Sequence, residues 1–509
     1  MLNLSRWMAV FVVSFSLMTA ARIAVAAEGQ PRPNILFCIA DDWGWPHAGA
    51  YGAGSWVQTP GFDRIAKEGV LFENCFTSNP KCSPCRATIL AGRNSWQMKE
   101  AVSHFSIWPN EFVTYPDLFI KAGYHVGLTG KGWGPGDWKS FRETNPAGPS
   151  YDAFKATPPT SGISNNDYSR NFIEGFLKAR PSKETPFCFW LGATEPHRGY
   201  EVGSGIQAGK KLKDAEVPKF YPDHNIVRSD LLDYAVEVEH FDRHVGKVLD
   251  YLQETGELDN TIVVMTSDHG MPFPRVKGQI YEYGFHLPLA VRWGAKVKPG
   301  RVVKDFINAR DFAPTFLEAA GLEKHEQITG ESFLELLLSE KSGVIDGSKR
   351  NVMLIGKERH DIGRPDDVGY PVRAIRTPDY LYVHNFAADR WPAGNPETGY
   401  RNVDDGATKS FLLSKFDDWY GLSFGMRPEE ELYLVGQDPE CLKNLAALPE
   451  HQAMKQHLRL QMEQLLKAEG DPRMLGQETF FDTIEYVGNK SHGWDAWIKH
   501  ARSPVNTPE

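Results

Sequence analysis

Four apolar runs in this chain end in side chains able to do chemistry. Residues 34–40 lead into Asp41-Asp42, residues 126–129 into Gly130-Lys131, residues 187–193 into Glu195-Pro196-His197, and residues 261–266 toward Asp268-His269-Gly270. In open α/β sheets, ligands bind just beyond the carboxyl ends of the strands. If these runs are neighbouring strands, Asp41, Asp42, Asp268, His197, His269 and Lys131 converge. Three close carboxylates repel one another and call for a cation. Oxygen ligands favour Ca²⁺ or Mg²⁺, and an imidazole among them leaves Zn²⁺ or Mn²⁺ open. Singly, Asp-Asp reads as a cap or turn and Asp-His-Gly as a turn. Their recurrence at four strand ends favours a site.

A second feature lies between the first two runs, at Lys81-Cys82-Ser83-Pro84-Cys85-Arg86 and on to Ala91-Gly92-Arg93. Ser83-Pro84 fits a helix start and Gly92 a helix end. Cys82 then sits at the positive end of a helix with Arg86 one turn on, where a nucleophile would face an anion. Cys82 and Cys85 also have the spacing of a redox pair or of half a zinc site. No second pair at metal-ligand spacing supports zinc, and a redox pair leaves the carboxylates unexplained.

The elements that must position these groups are strands alternating with helices. Unbroken apolar runs mark strands buried on both faces. The clearest helix covers 230–253, with Leu231, Ala235, Val238, Val245, Leu249 and Leu252 on one stripe and Gly256 after it. The alternation predicts an α/β fold with a large, mostly parallel sheet flanked by helices. After about residue 345 the pattern changes. Short strands are expected at 372–375, 380–384 and 431–435, with a turn at Thr377-Pro378-Asp379 and an amphipathic helix over 454–467. The expected organisation is a catalytic domain over 34–345, a smaller α+β domain over 346–470 and an irregular tail over 471–509.

The 509 residues are 41% hydrophobic and 24% charged, which excludes wholesale disorder. The net charge of −9 gives no global field for nucleic acid or an anionic membrane. Six Cys are too few for a disulfide scaffold. Arg6, the apolar stretch 8–20 and Ala24-Val25-Ala26 read as a secretory signal peptide over 1–26. No later stretch approaches a membrane span. The expected compartment is periplasmic or extracellular.

Cys82-x-Pro84-x-Arg86, followed by a helix and Gly92-Arg93, resembles the type I sulfatase signature of the alkaline phosphatase superfamily. The resemblance runs from Asn34 to about Ala447. It implies that Cys82 is oxidised by a maturase to Cα-formylglycine. It also implies a metal, Ca²⁺ before Mg²⁺ or Mn²⁺, held by Asp41, Asp42, Cys82, Asp268 and His269. His269 stands where the family often has Asn, and Ala91 where Thr is common. Lys131, Lys277 and His197 match the sulfate-binding positions, and residues 431–446 are similar to the C-terminal signature. Glu195-Pro196-His197-Arg198, Met271-Pro272-Phe273-Pro274 and Tyr370-Pro371-Val372-Arg373 look most like sulfamidase. The family usually has a His where Trp133 stands, so one sulfate contact is missing or supplied elsewhere; Trp133 stacks on a sugar or packs in the core.

The chemistry so implied is desulfation of a carbohydrate. The formylglycine diol attacks sulfur, with Arg86 holding the diol and His197 protonating the leaving group. The second hydroxyl then loses its proton and sulfate departs. The rivals are a phosphodiester or phosphonate hydrolase of the same superfamily, a non-catalytic sulfated-glycan-binding protein, and a dithiol oxidoreductase.

Overall fold

Every residue of Asn34–Ala40 is buried, as an apolar run without alternation requires. In the computed structural model this strand lies inside an eight-stranded sheet. The structure describes residues 32–415 and 417–502; the signal peptide expected over 1–26 lies outside the described residues. Thr261–Ser267 and Phe187–Gly192 flank the strand in parallel, and His125–Gly130 continues the sheet beyond Phe187–Gly192. On the other side, His286–Arg292 runs antiparallel between Thr261–Ser267 and Val70–Phe76. Val70–Phe76 then carries Arg301–Val303 and Ile307–Asn308 in parallel. The sheet is mixed and mostly parallel, as the alternation of strand and helix implies.

Both faces are covered. Ile35, Phe37 and Ile39 join a core with Ile89 and Leu90 of the helix Cys82–Ala91 and Phe312 and Phe316 of the helix Phe312–Ala319. Leu36, Cys38 and Ala40 join the opposite core, with Phe62 and Ile65 of Pro60–Glu68 and the stripe Leu231, Val238, Val245 and Leu249 of Asn225–Glu254. Period-two alternation in the strand thus meets period-3.6 stripes on the helices.

Four strands of this sheet escape a search for apolar runs, the short Arg301–Val303 and Ile307–Asn308 and two longer ones. Val70–Phe76 is interrupted by Glu73-Asn74, where the ladder with His286–Arg292 shifts register between Phe72 and Cys75. Pro288 argues against a strand on its own sequence, because it has no N–H to donate. It falls opposite that irregularity, between the paired Leu287 and Leu289, where the ladder asks for no donor.

A smaller antiparallel sheet follows, in the order Met353–Lys357, Val372–Arg376, Tyr380–Asn385, Glu430–Leu434. One face packs Ile355, Ala374 and Val383 onto Phe76, Phe285 and Phe306. The other packs Leu354, Ile375, Tyr382 and Leu432 under Leu458, Met462 and Leu466 of the helix Gln452–Ala468. Met353–Lys357 is a strand beyond those expected. Past Asp471, the stretch that the sequence leaves irregular contains short helical turns and the helix Trp494–Arg502.

Candidate active site

Asp41 and Asp42 follow the Asn34–Ala40 strand, and Asp268 and His269 follow its neighbour Thr261–Ser267. Parallel pairing of the two strands brings both pairs to one edge. Asp42 has φ of +75°, a left-handed conformation that Asp tolerates better than most residues. Its N–H donates to Asp268 Oδ1 at 3.1 Å. All four side chains are buried.

The helix Cys82–Ala91 aims its N-terminus at this edge. It begins two residues earlier than a Ser83 cap suggests: Lys81 is the capping position, Pro84 lies in the first turn, and the Ser83 hydroxyl finds no partner. Gly92 ends the helix at φ +63°, its N–H donating to the Thr88 carbonyl. Cys82 Sγ lies 3.5 Å from His269 Nε2. Burial and Asp41 push the Cys82 thiol up, but Lys131, Lys277 and the His104 imidazole bring it well below the ordinary thiol value. Cys85 is different. It belongs to the apolar core, burial pushes its thiol up, and both cysteines are free. That environment does not suit a dithiol redox pair.

Arg86 is fully buried and all of its donors are used. Nε donates to Asp268 Oδ2 at 2.9 Å and Nη2 reaches Asp41 Oδ1 at 3.3 Å. Nη1 donates to the Lys131 carbonyl at 2.7 Å and the Gly132 carbonyl at 3.2 Å, and Nη2 also meets the Ala40 carbonyl at 3.5 Å. The guanidinium therefore ties three strand ends together. No N–H is left for a diol, so Arg86 is placed to position the carboxylates.

The remaining expected cations converge as well. Lys131 Nζ donates to Asp41 Oδ2 at 2.6 Å. Lys277, 2% exposed, donates to Asp42 Oδ2 and to Asp404 Oδ2, both at 2.6 Å. Burial disfavours its charge, but Asp404 and Asp42 outweigh that and raise its pKa well above the ordinary value. His197 lies within 4.8 Å of Asp42 and Asp404, ligand atom to ligand atom, and its Nδ1 meets the Arg198 carbonyl at 3.0 Å.

The donor set fits a divalent cation. Ligand atoms of Asp41, Cys82, Asp268 and His269 lie within 4.8 Å of one another. Asp42 Oδ1 is 2.9 Å from His269 Nε2 but makes no hydrogen bond, which leaves a buried carboxylate oxygen aimed at the cluster. Burial raises the Asp268 carboxyl to about 6, against the lowering effect of His269 and Arg86. A cation would favour its ionised form. Three carboxylates and an imidazole, with Cys82 beside them, make a mixed set rich in oxygen.

A cavity of about 640 Å³ opens over the site, lined among others by Asp41, Cys82, Lys131, His197 and Lys277. That volume lies in the range of small-molecule sites. Trp133 does not line it. The side chain is 2% exposed, packs edge-on to Trp108 and donates from its indole to the Ser83 carbonyl at 3.0 Å. The ring stiffens the helix start from beneath, and stacking on a sugar is replaced by core packing.

Several lining groups escape the sequence reading. Asp404, the partner of Lys277, sits on a loop after the smaller sheet's third strand. Lys81 donates from Nζ to Asp361 Oδ2 at 2.7 Å, and His104 Nδ1 meets Asp361 Oδ1 at 2.8 Å. Asp361 lies just beyond Met353–Lys357, a strand signalled only by the short apolar run 352–355. Glu237, on the helix Asn225–Glu254, brings a buried carboxyl oxygen without a hydrogen bond to the cavity wall.

The family model described as Sulfatase matches residues 33–322. An "Ulvan-active sulfatase" of Formosa agariphila is 28% identical over 456 residues, covering 86% of this chain and 81% of that protein. The human "N-sulphoglucosamine sulphohydrolase" is 26% identical over 489 residues, covering 86% and 90%. A solved structure in complex with its substrate D-glucosamine-2-N,6-O-disulfate has a TM-score of 0.64 at 22% identity, covering 86% and 98%. That likeness carries the fold.

Proposed function

Because the chain belongs to the sulfatase family, we propose that it hydrolyses sulfate from a sulfated carbohydrate, with residue 82 as formylglycine. The observation that carries this reading is the convergence of Asp41, Asp268, His269, Lys131 and Lys277 around Cys82 at a buried helix start. Relatives named for ulvan and for N-sulphoglucosamine support the carbohydrate.

Asp41, Asp42, Asp268, His269 and the oxygen of residue 82 would hold the cation, Ca²⁺ before Mg²⁺ because a mixed carboxylate set suits looser geometry. When bound, it polarises a sulfate oxygen and offsets developing charge. Formylglycine, made from Cys82 by a maturase, offers as its hydrate an oxygen nucleophile. Lys131 and Lys277 flank that oxygen and neutralise sulfate oxygens as charge moves to the leaving group. His197, at the cavity wall, donates the proton that the departing sugar oxygen or nitrogen needs. Arg86 keeps Asp41 and Asp268 in register. A signal-directed export to the periplasm or exterior accompanies this reading; no helix among the described residues is long and apolar enough to cross a membrane.

The test is a desulfation screen on defined O- and N-sulfated sugars beside phosphodiesters and phosphonate monoesters. Sulfate release supports the reading. Hydrolysis of the phosphorus esters alone would transfer the site to phosphoryl chemistry.

A further inference from the structure

His104 lies outside every motif discussed above, on the segment after the short helical turn Lys99–Val102. It is 5% exposed and lines the cavity beside Cys82. Its two ring nitrogens have opposite surroundings. Nδ1 is fixed by Asp361 Oδ1 at 2.8 Å. Nε2 is buried with no hydrogen-bond partner. Asp361 is itself held by Lys81, whose Nζ meets the other carboxylate oxygen at 2.7 Å. The carboxylate behind Nδ1 fixes the tautomer that carries the proton there and leaves Nε2 a free acceptor. An orphaned buried acceptor is costly unless something fills it. Residue 82 lines the same cavity, and the His104 imidazole is among the neighbours that bring the Cys82 thiol down.

We propose that His104, oriented by Asp361, is the catalytic residue that takes the proton when sulfate leaves residue 82. This inference rests on the formylglycine reading. After the first step residue 82 carries one sulfate ester and one hydroxyl on the same carbon. His104 Nε2 accepts the hydroxyl proton, the O–H electron pair forms the C=O bond, and the C–O bond to sulfate breaks. Sulfate leaves with the bonding pair of that C–O bond, and the aldehyde and a protonated imidazole remain. Addition of water to the aldehyde restores the diol, and the imidazole returns its proton to solvent. Asp361 is a positioning residue, since it acts through the ring.

The experiment compares wild type, His104→Gln and Asp361→Asn, each first shown by peptide mass to carry formylglycine at residue 82. Each is mixed with nitrophenyl sulfate, and both nitrophenol release and the mass of the residue-82 peptide are followed. Wild type turns over steadily without an adduct. His104→Gln releases about one equivalent of nitrophenol per site and then slows by a hundredfold or more, while the peptide gains about 98 Da over its aldehyde form, about 80 Da over the hydrate, as a trapped sulfate ester. Asp361→Asn shows the same adduct with a smaller loss, and it carries the test alone if His104→Gln does not fold. Loss of the first equivalent together with turnover, or slow turnover without the adduct, overturns the assignment of His104. A matured wild type that releases no nitrophenol overturns the functional reading and the inference with it.

Discussion

Lys277 and Asp404 are separated by 127 positions in the chain and joined at 2.6 Å in the structure. The same ammonium reaches Asp42 at 2.6 Å. One buried cation thus links the edge of the main sheet to a loop near the smaller one, and it stands between two carboxylates that would otherwise repel. An arriving sulfate finds Lys277 already fixed in place, which spares the ordering cost of a long flexible side chain.

Lys277→Ala should therefore lose transition-state stabilisation on the order of 2–4 kcal/mol, a hundredfold or more in kcat/KM. It should also lower the Tm, because Asp42 keeps a buried charge without its closest partner. Steady-state kinetics on sulfated substrates and a thermal melt check both. Unchanged kinetics on every sulfated substrate would remove Lys277 from the site.

Asp268→Ala should abolish bound metal and activity together. The substitution removes one ligand and frees Arg86 Nε, which now donates to Asp268 Oδ2 at 2.9 Å. Elemental analysis of the purified variant, with circular dichroism to confirm folding, reads the outcome. A folded variant with full metal content would show that Asp268 is no ligand.

His197→Ala should discriminate between leaving groups. Aryl sulfates leave without a proton, whereas sugar sulfates need one. The loss should be smaller on the aryl substrate. Equal losses on both would leave His197 a sulfate contact and no acid.

Glu237 predicts a pH effect on stability. Burial, reinforced by Glu195 and Asp233, raises its carboxyl from 4.5 to about 8. The native state then holds a proton that the unfolded chain has released. Between about pH 4.5 and 8 the native state binds more protons, so this group's contribution to stability falls as pH rises through that window and levels off above it. Glu237→Gln should flatten this part of the Tm-versus-pH curve and raise the Tm most near pH 8. A variant with the same slope as wild type would show that Glu237 is ionised in the native state.

Four of the residues proposed to hold the cation are readable from the sequence because each pair stands at the end of an apolar run. Asp41-Asp42 and Asp268-His269 inherit their position from strands that the run already defines, and parallel pairing does the rest. Asp404, Asp361 and His104 are not readable in this way. Their place depends on how the smaller sheet packs on Phe76, Phe285 and Phe306, a long-range fact with no local signal. Trp133 shows another limit: spacing from Gly130-Lys131 puts it near the site, but only packing decides that the ring turns inward to Trp108. Val70–Phe76 shows a third, since Glu73-Asn74 at a register shift breaks the pattern that marks a buried strand.

The central claim is that residue 82 works as formylglycine. The most direct test is the mass of the peptide carrying residue 82, taken from protein with measured sulfatase activity. Exchange of the thiol for an aldehyde predicts a peptide lighter by about 18 Da than the unmodified sequence, in a fraction that scales with specific activity. Active protein whose Cys82 is entirely unmodified thiol would contradict the account.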